Sequence, residues 1–442
     1  MSYEFVQGSV VMKRFNLLSG LAAILVIAPS LAFAEELSAG DTGWMLTATA
    51  LVLFMTLPGL SLFYAGLVSS RNVLSVLMQC FSIACLASVL WVIFGYSLAF
   101  SDGGAGNPWI GGLSNLFMGE VSREAMSGTI PETVFAMFQM TFVVITPALV
   151  IGGFAERMRF PAMLWFTALW VTLVYLPVCH WVWGGGWLAE MGVLDFAGGL
   201  VVHLTAGVGA LTAAIMLGPR EGFPGRLMPP HNLTLSVMGA GMLWVGWFGF
   251  NAGSAVAASS DAGMAMLVTH ISAAVASLTW MISDWIRFGK PKVLGIITGM
   301  VAGLGSITPA SGFVGPVGAI VIGLAAGFLC FIVTNAVKQR FRIDDSLDVF
   351  AVHGIGGALG TILCGVFVAE AFGGAGLPMG VTMGSQLTTQ VVGVLAVLVW
   401  TGALTAVVLK LVGFFTPVRA DADEELAGLD TSQHHETGYH IR

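Results

Sequence analysis

Apolar runs long enough to cross a hydrocarbon core of about 30 Å as helices recur from residue 42 to residue 412, separated by short polar breaks. Their bounds read 42–66, 73–100, 131–153, 160–180, 195–218, 233–253, 263–286, 292–308, 314–337, 345–368 and 386–412. The pattern predicts an all-α polytopic membrane protein with eleven transmembrane helices over residues 35–412 and a polar tail over 413–442. Composition agrees. Hydrophobic residues make up 57% of the 442-residue chain and charged residues 9%, against roughly a quarter charged in soluble proteins. The five cysteines show no metal-ligand spacing, and nothing suggests a disulfide framework.

Residues 1–34 read as an extension and a secretory leader. Met12 is the expected start, followed by Lys13 and Arg14, an apolar core, and a small-residue cleavage pattern ending at Ala34. The alternative is one more membrane helix. A cleaved leader places the mature N-terminus outside, and an odd number of spans then places the C-terminus inside. Charge placement supports that threading. Of the 17 lysines and arginines, Lys13 and Arg14 belong to the leader, and every other except Arg123 falls on or beside the cytoplasmic side. Glycine is abundant, with 58 residues, as suits close helix packing where hydrophobic burial cannot drive association.

Two stretches carry chemistry. "DFAGGLVVH" runs from Asp195 to His203, and "DSLDVFAVH" from Asp345 to His353, each with an acid eight residues before a histidine. Asp195 reads as a helix N-cap. Eight residues of helix are about 12 Å, and the two segments enter from opposite sides. The histidines then differ in depth by only about 6 Å across the core and can meet at the midplane. Segments one to five and six to ten form an inverted five-plus-five repeat, an architecture that places function at the midplane. Imidazole offers both donor and acceptor character and suits proton relay. His270 has no matching acid and is expected to make a helix–helix hydrogen bond.

Aromatic residues cluster toward the outer side in "FQMTF" (Phe138, Phe142), "VWGGGWL" (Trp183) and "GWFGFNAGS" (Trp247, Phe250, Ser254). Aromatic faces attract cations at roughly 0.5–2 kcal/mol each, and a serine hydroxyl accepts hydrogen bonds. Together they suit a small cation that can donate, such as ammonium. Desolvating the cation costs on the order of 20 kcal/mol, with no membrane carboxylate to offset it. Moving the neutral base past the histidines lowers that barrier.

These stretches, with "GGFAERMRF", "PHNL", "LDVFAVHG" and the tail's "GLD", resemble the ammonium transporter family (Amt, Mep and Rh proteins), most closely its bacterial Amt branch, over essentially the whole mature chain. The resemblance implies transport of ammonium or ammonia across the cytoplasmic (inner) membrane, with no enzymatic activity. It implies an outer recruitment site of Trp183, Phe142 and Ser254, with Trp247 and Thr308 nearby. Phe142 and Phe250 form its gate, and His203 and His353 line the pore. Asp195 and Asp345 are structural. It also implies a homotrimer in membrane lipid and a PII-type signalling protein as cytoplasmic partner, with no cofactor, metal or nucleic acid. The alternative is an ammonium sensor signalling through the tail; no catalytic domain follows residue 412. A haem held by the two histidines would show in absorbance. The tail has too little apolar content to fold alone. Its acids Asp423, Glu424 and Glu425 are expected to dock weakly on Arg157, Arg159, Lys338, Arg340 and Arg342.

Overall fold

The computed structural model describes residues 36–439, so the leader assigned to residues 1–34 lies outside the described residues. Among those described, eleven helices are long and apolar enough to span a membrane. They are α1 Ala39–Leu67, α2 Val73–Phe100, α3 Glu132–Phe154, α4 Phe160–Glu190, α5 Gly199–Leu217, α6 Leu233–Gly253, α7 Ser260–Phe288, α8 Val293–Ala310, α9 Pro316–Arg340, α10 Phe350–Phe367 and α11 Met383–Phe415. A two-residue hairpin, Met126–Ser127 with Ile130–Pro131, sits in the α2–α3 connection.

The helix pairing repeats. In the first half α2 packs on α3 and α4, and α3 packs on α5; in the second, α7 packs on α8 and α9, and α8 packs on α10. The halves join through α1 against α6 and α5 against α10, and α11 lies across α4, α5 and α10. Glycine sets the α5–α10 crossing. A Cβ on Gly207 would stand 2.2 Å from the Gly354 backbone nitrogen, and one on Gly357 would stand 2.6 Å from the Gly199 carbonyl oxygen. Neither helix can carry a side chain there, and that close approach brings the central segments of the halves together.

Both central helices begin later than their apolar runs. The expected starts were 195 and 345; the helices open at Gly199 and Phe350. The turns before them pass through left-handed backbone, at Gly198 (φ +110°) and Asp348 (φ +63°), where glycine and aspartate are among the tolerated residues. The depth estimate from eight helical residues therefore overcounts, because the first four are not helical. Each helix then opens in a wide turn with i→i+5 character, Gly199–Leu204 and Phe350–Ile355, and each turn contains one of the histidines. Such turns concentrate at functional sites. Four others occur among the described residues, at Met55–Leu60, Trp91–Gly95, Val171–Tyr175 and Ala336–Arg340; the first has a local cause in Pro58, which removes a backbone donor.

The tail is ordered against the body. After α11 it forms two short helices, α12 Ala422–Ala427 and α13 Leu429–His434. Asp430 accepts from the Leu74 and Ser75 amides at 3.0 and 2.7 Å and so caps α2, while Leu429 is fully buried. Of the cations expected to receive the tail, Arg159 does, pairing with Asp421 at 2.9 Å and Glu424 at 2.8 Å. The others do not, among the described residues. Arg157 is wholly buried: it donates to Ser346 and to the Gly153 and Asp344 carbonyls, each at 2.7 Å. Burial lowers its pKa to about 10. Lys338 pairs with Asp348 at 2.7 Å, and Arg340 and Arg342 form no ion pair among the described residues. Glu425 turns inward to Arg419 at 2.6 Å. A basic residue beside a membrane span can neutralise a buried carboxylate as readily as a mobile tail, and charge sequence alone does not separate the two.

Candidate functional site

Asp195 builds the half of the site at the start of α5. Its Oδ1 accepts from the Gly198 and Gly199 amides at 3.0 and 2.5 Å, and its Oδ2 from Leu200 and Val201 at 2.9 and 3.2 Å. Four otherwise orphaned N–H groups of the helix start are thereby satisfied. Its own carbonyl accepts from the Trp183 indole N–H at 2.9 Å. Trp183 closes a helical stretch just before a glycine turn in which Gly185 has φ +82°. One acid therefore fixes both the start of α5 and the ring that faces it.

Trp183 meets Phe142 edge-on, with centroids 5.5 Å apart. Phe138 backs Phe142 at 5.0 Å, and Phe142 lies on Phe250 at 4.4 Å. Ser254 stands one turn beyond Phe250 and donates its hydroxyl proton to the Phe250 carbonyl at 2.9 Å. With the proton committed, its oxygen can only accept from a further partner, which favours an N–H donor over a bare cation. Phe250 in turn approaches His203, ring centroids 5.9 Å apart.

The histidines are in contact. Nδ1 of His203 and Nδ1 of His353 are 3.2 Å apart, and the rings are inclined by 22°. Trp247 stacks on His203 at 5.4 Å. Thr308 belongs with this pair rather than with the mouth: its hydroxyl donates to the Leu304 carbonyl at 2.8 Å and accepts from the Trp247 indole at 2.9 Å. His203 Nε2 lies 3.3 Å from the same oxygen. The proton positions follow from this network. Thr308 has spent its proton, so a neutral His203 carries its proton on Nε2 and leaves Nδ1 bare. His353 Nδ1–H must then donate to it, leaving His353 Nε2 as an acceptor. With both rings neutral, one proton lies between the two Nδ1 atoms.

Gly305 is the histidine-facing residue that composition hid. On α8, added Cβ atoms at Gly295, Gly299 and Gly303 would collide with α7, at 1.8, 2.5 and 2.5 Å, so packing explains those glycines. A Cβ on Gly305 would collide with nothing; its nearest neighbours are His353 Nδ1 at 3.7 Å, the Val352 carbonyl at 3.8 Å and His203 Cδ2 at 3.9 Å. Beyond His353 lies a cavity of about 100 Å³ lined in part by Tyr64, Thr298, Lys338 and Asp348. Leu67, Met228 and Pro230 are shared with a second cavity of about 300 Å³ roofed by Glu425 and Leu426 of the tail.

Two expectations fare differently. The mouth, gate and histidine residues form one continuous column. His270 makes no hydrogen bond among the described residues and packs instead against Trp244 and Phe248, at 5.2 and 6.2 Å.

The chain matches the Ammonium Transporter Family model over residues 43–439. It is 46% identical to the ammonium transporter of Bacillus subtilis (strain 168), over 90% of this chain and 98% of the relative. Among solved structures it is similar to Saccharomyces cerevisiae Mep2, with 38% identity, a TM-score of 0.80 and coverage of 88% and 89% of the two chains. It is also similar to a protein described as a sensor Amt protein, with 30% identity, a TM-score of 0.83 and coverage of 89% and 98%. Family match, shared fold and a continuous aromatic–histidine column agree, and the chain belongs to the ammonium transporter family.

Proposed function

We propose that this protein carries ammonium across the cytoplasmic membrane, entering on the Trp183 side and leaving on the tail side. The observation that carries the reading is the direct His203–His353 contact at 3.2 Å in an otherwise apolar passage. Trp183, Phe142 and Ser254 recruit the cation through ring faces and one committed hydroxyl. Phe142 and Phe250 touch at 4.4 Å, so passage requires their rings to part. Beneath them no carboxylate offsets a desolvated charge, whose burial costs on the order of 20 kcal/mol before relaxation. The histidine pair instead offers a bare nitrogen at one end and a shared proton within, which suits passage of the neutral base with the proton handed along separately. Release occurs into the cavity beyond His353.

The same reading makes the protein a homotrimer with a pore in each protomer, regulated from the tail side by a PII-type protein. The tail's position as roof of the larger cavity supports that placement of the partner. A second reading, an ammonium sensor, draws on the similarity to the sensor Amt protein; the tail would then transmit occupancy. Purified protein in liposomes separates the two. Under an inward ammonium gradient the transporter reading requires flux through the parent protein, and none when both His203 and His353 are replaced by alanine in a folded, inserted protein. Undiminished flux through the double variant would remove the histidines from the pathway, and absent flux through the parent would favour the sensor.

A further inference from the structure

The two mirrored acids are not in the same chemical situation. Asp195 has two N–H donors on each carboxylate oxygen. Asp345 is equally buried, at 1% exposure. Its Oδ2 accepts from the Phe350 amide at 2.8 Å, with the Val349 amide adding a weaker interaction, and its Oδ1 has no hydrogen-bond partner among the described residues.

Neighbouring charge does not repair this. The groups facing Asp345 are Asp348 on its own segment, Lys338 at the end of α9, Tyr64 on α1 and Arg157 ahead of α4. Asp348 is a like charge. Lys338 is spent on Asp348 at 2.7 Å. Arg157 is directed to Ser346 and two carbonyls, and the Tyr64 hydroxyl donates to the Leu149 carbonyl at 3.0 Å. A buried carboxylate with one oxygen lacking any donor and no cation paired to it is costly, and such a group takes up a proton instead.

We propose that Asp345 is a neutral, proton-carrying acid under conditions in which its mirror image Asp195 is an anion. A proton on either oxygen of Asp195 would face an N–H donor; a proton on Oδ1 of Asp345 displaces nothing. Burial, reinforced by Asp348, pushes the Asp345 carboxyl up to about 7, whereas burial lifts Asp195 only to about 6 against its four amides. Asp345 is a positioning residue: it orders the start of α10 through Phe350 and adds no negative charge beside the Asp348–Lys338 pair at the exit. For its transport consequence the inference rests on the pathway proposed above. An anion behind the mouth draws the cation in, and an uncharged counterpart at the exit does not hold it.

The test is infrared spectroscopy of the parent protein in lipid, from about pH 5 to about pH 9, together with Asp345→Asn, Asp345→Ala and Asp195→Asn. The expected result is a protonated-carboxyl stretch that shifts in D₂O, persists in Asp195→Asn, is diminished in Asp345→Asn most clearly between about pH 6 and pH 7, and disappears as pH rises through about 7. Flux is expected to survive in Asp345→Asn, whose amide keeps the acceptor for Phe350, and to be lost in Asp345→Ala. A parent spectrum without that band at pH 5–6, or one unchanged by Asp345→Asn, overturns the assignment. The band is read without transport, so its outcome stands apart from whether the pathway is right.

Discussion

The start of α5 and the start of α10 use the same spacing of acid and histidine and reach different ends. At α5, Asp195 gathers four amides and an indole-bearing carbonyl into one rigid corner. At α10, Asp345 holds a single amide, and the left-handed turn falls on Asp348 rather than on a glycine. The histidines nevertheless meet, because their approach is set by Gly207 against Gly354 and Gly357 against Gly199. The difference separates two jobs. Backbone proximity places the rings, whereas the caps decide what charge and rigidity each end of the passage has. The α5 end is anchored through four amides; the α10 end is lightly held.

The largest effect that probes this contrast is Asp195→Ala. It orphans four buried amides, each costing about 1–3 kcal/mol if left unsatisfied, and so loosens the turn whose backbone carbonyl holds the Trp183 indole. We expect loss of flux and a fall in thermal stability of several kcal/mol, with Asp195→Asn recovering part of both. Asp345→Ala orphans one amide and should cost only about 1–3 kcal/mol. Equal thermal shifts for the two alanine variants would erase the proposed asymmetry.

pH distinguishes the ends next. A carboxyl raised in the folded state binds its proton more tightly there than in the unfolded chain. Its stabilisation is full below the ordinary value of 3.8 and is lost as pH rises through about 7. Thermal unfolding across that window should therefore show the parent losing stability relative to Asp345→Asn as pH rises. A difference that stays constant with pH would mean that Asp345 is already ionised.

Gly305 tests the crossing itself. Alanine there adds one methyl against both imidazoles without a clash. We expect methylammonium flux to fall about 10-fold or more relative to ammonium flux, the usual reach of one methyl in a tight apolar fit. Gly303→Ala meets the Ser272 carbonyl at 2.5 Å, so it should lower both fluxes together through misfolding. Proportional losses in Gly305→Ala would place the pathway elsewhere. The smallest effect is expected at the tail. Glu424→Gln removes a partly exposed pair with Arg159 and should change stability by about 0–1 kcal/mol. Truncation after Thr416 should abolish shut-off when starved cells are returned to ammonium. Normal shut-off in the truncated protein would make the tail a passive roof.

Much of this was legible in the chain. Length and hydropathy set eleven spans because a bilayer permits few alternatives, and the Asp195–His203 and Asp345–His353 spacings pointed to one meeting place. What escaped was decided by contacts between distant segments. Arg157 reads like its neighbour Arg159, yet one is sealed against Asp344 and the other reaches the tail. Gly305 reads like Gly303, yet one faces imidazole and the other a helix backbone. Thr308 was placed near the mouth, but its hydroxyl joins Trp247 to His203. Asp345 copies Asp195 in sequence, and only the number of amides within reach tells them apart.

The central claim is that the two halves bring two neutral histidines together around one shared proton. Nitrogen-15 spectra of histidine-labelled protein in lipid, with His203 and His353 assigned by single substitutions, test it most directly. The account predicts two different tautomers near neutral pH, His203 protonated at Nε2 and bare at Nδ1, and His353 protonated at Nδ1 and bare at Nε2. A doubly protonated ring at either position, or the same tautomer at both, would contradict it.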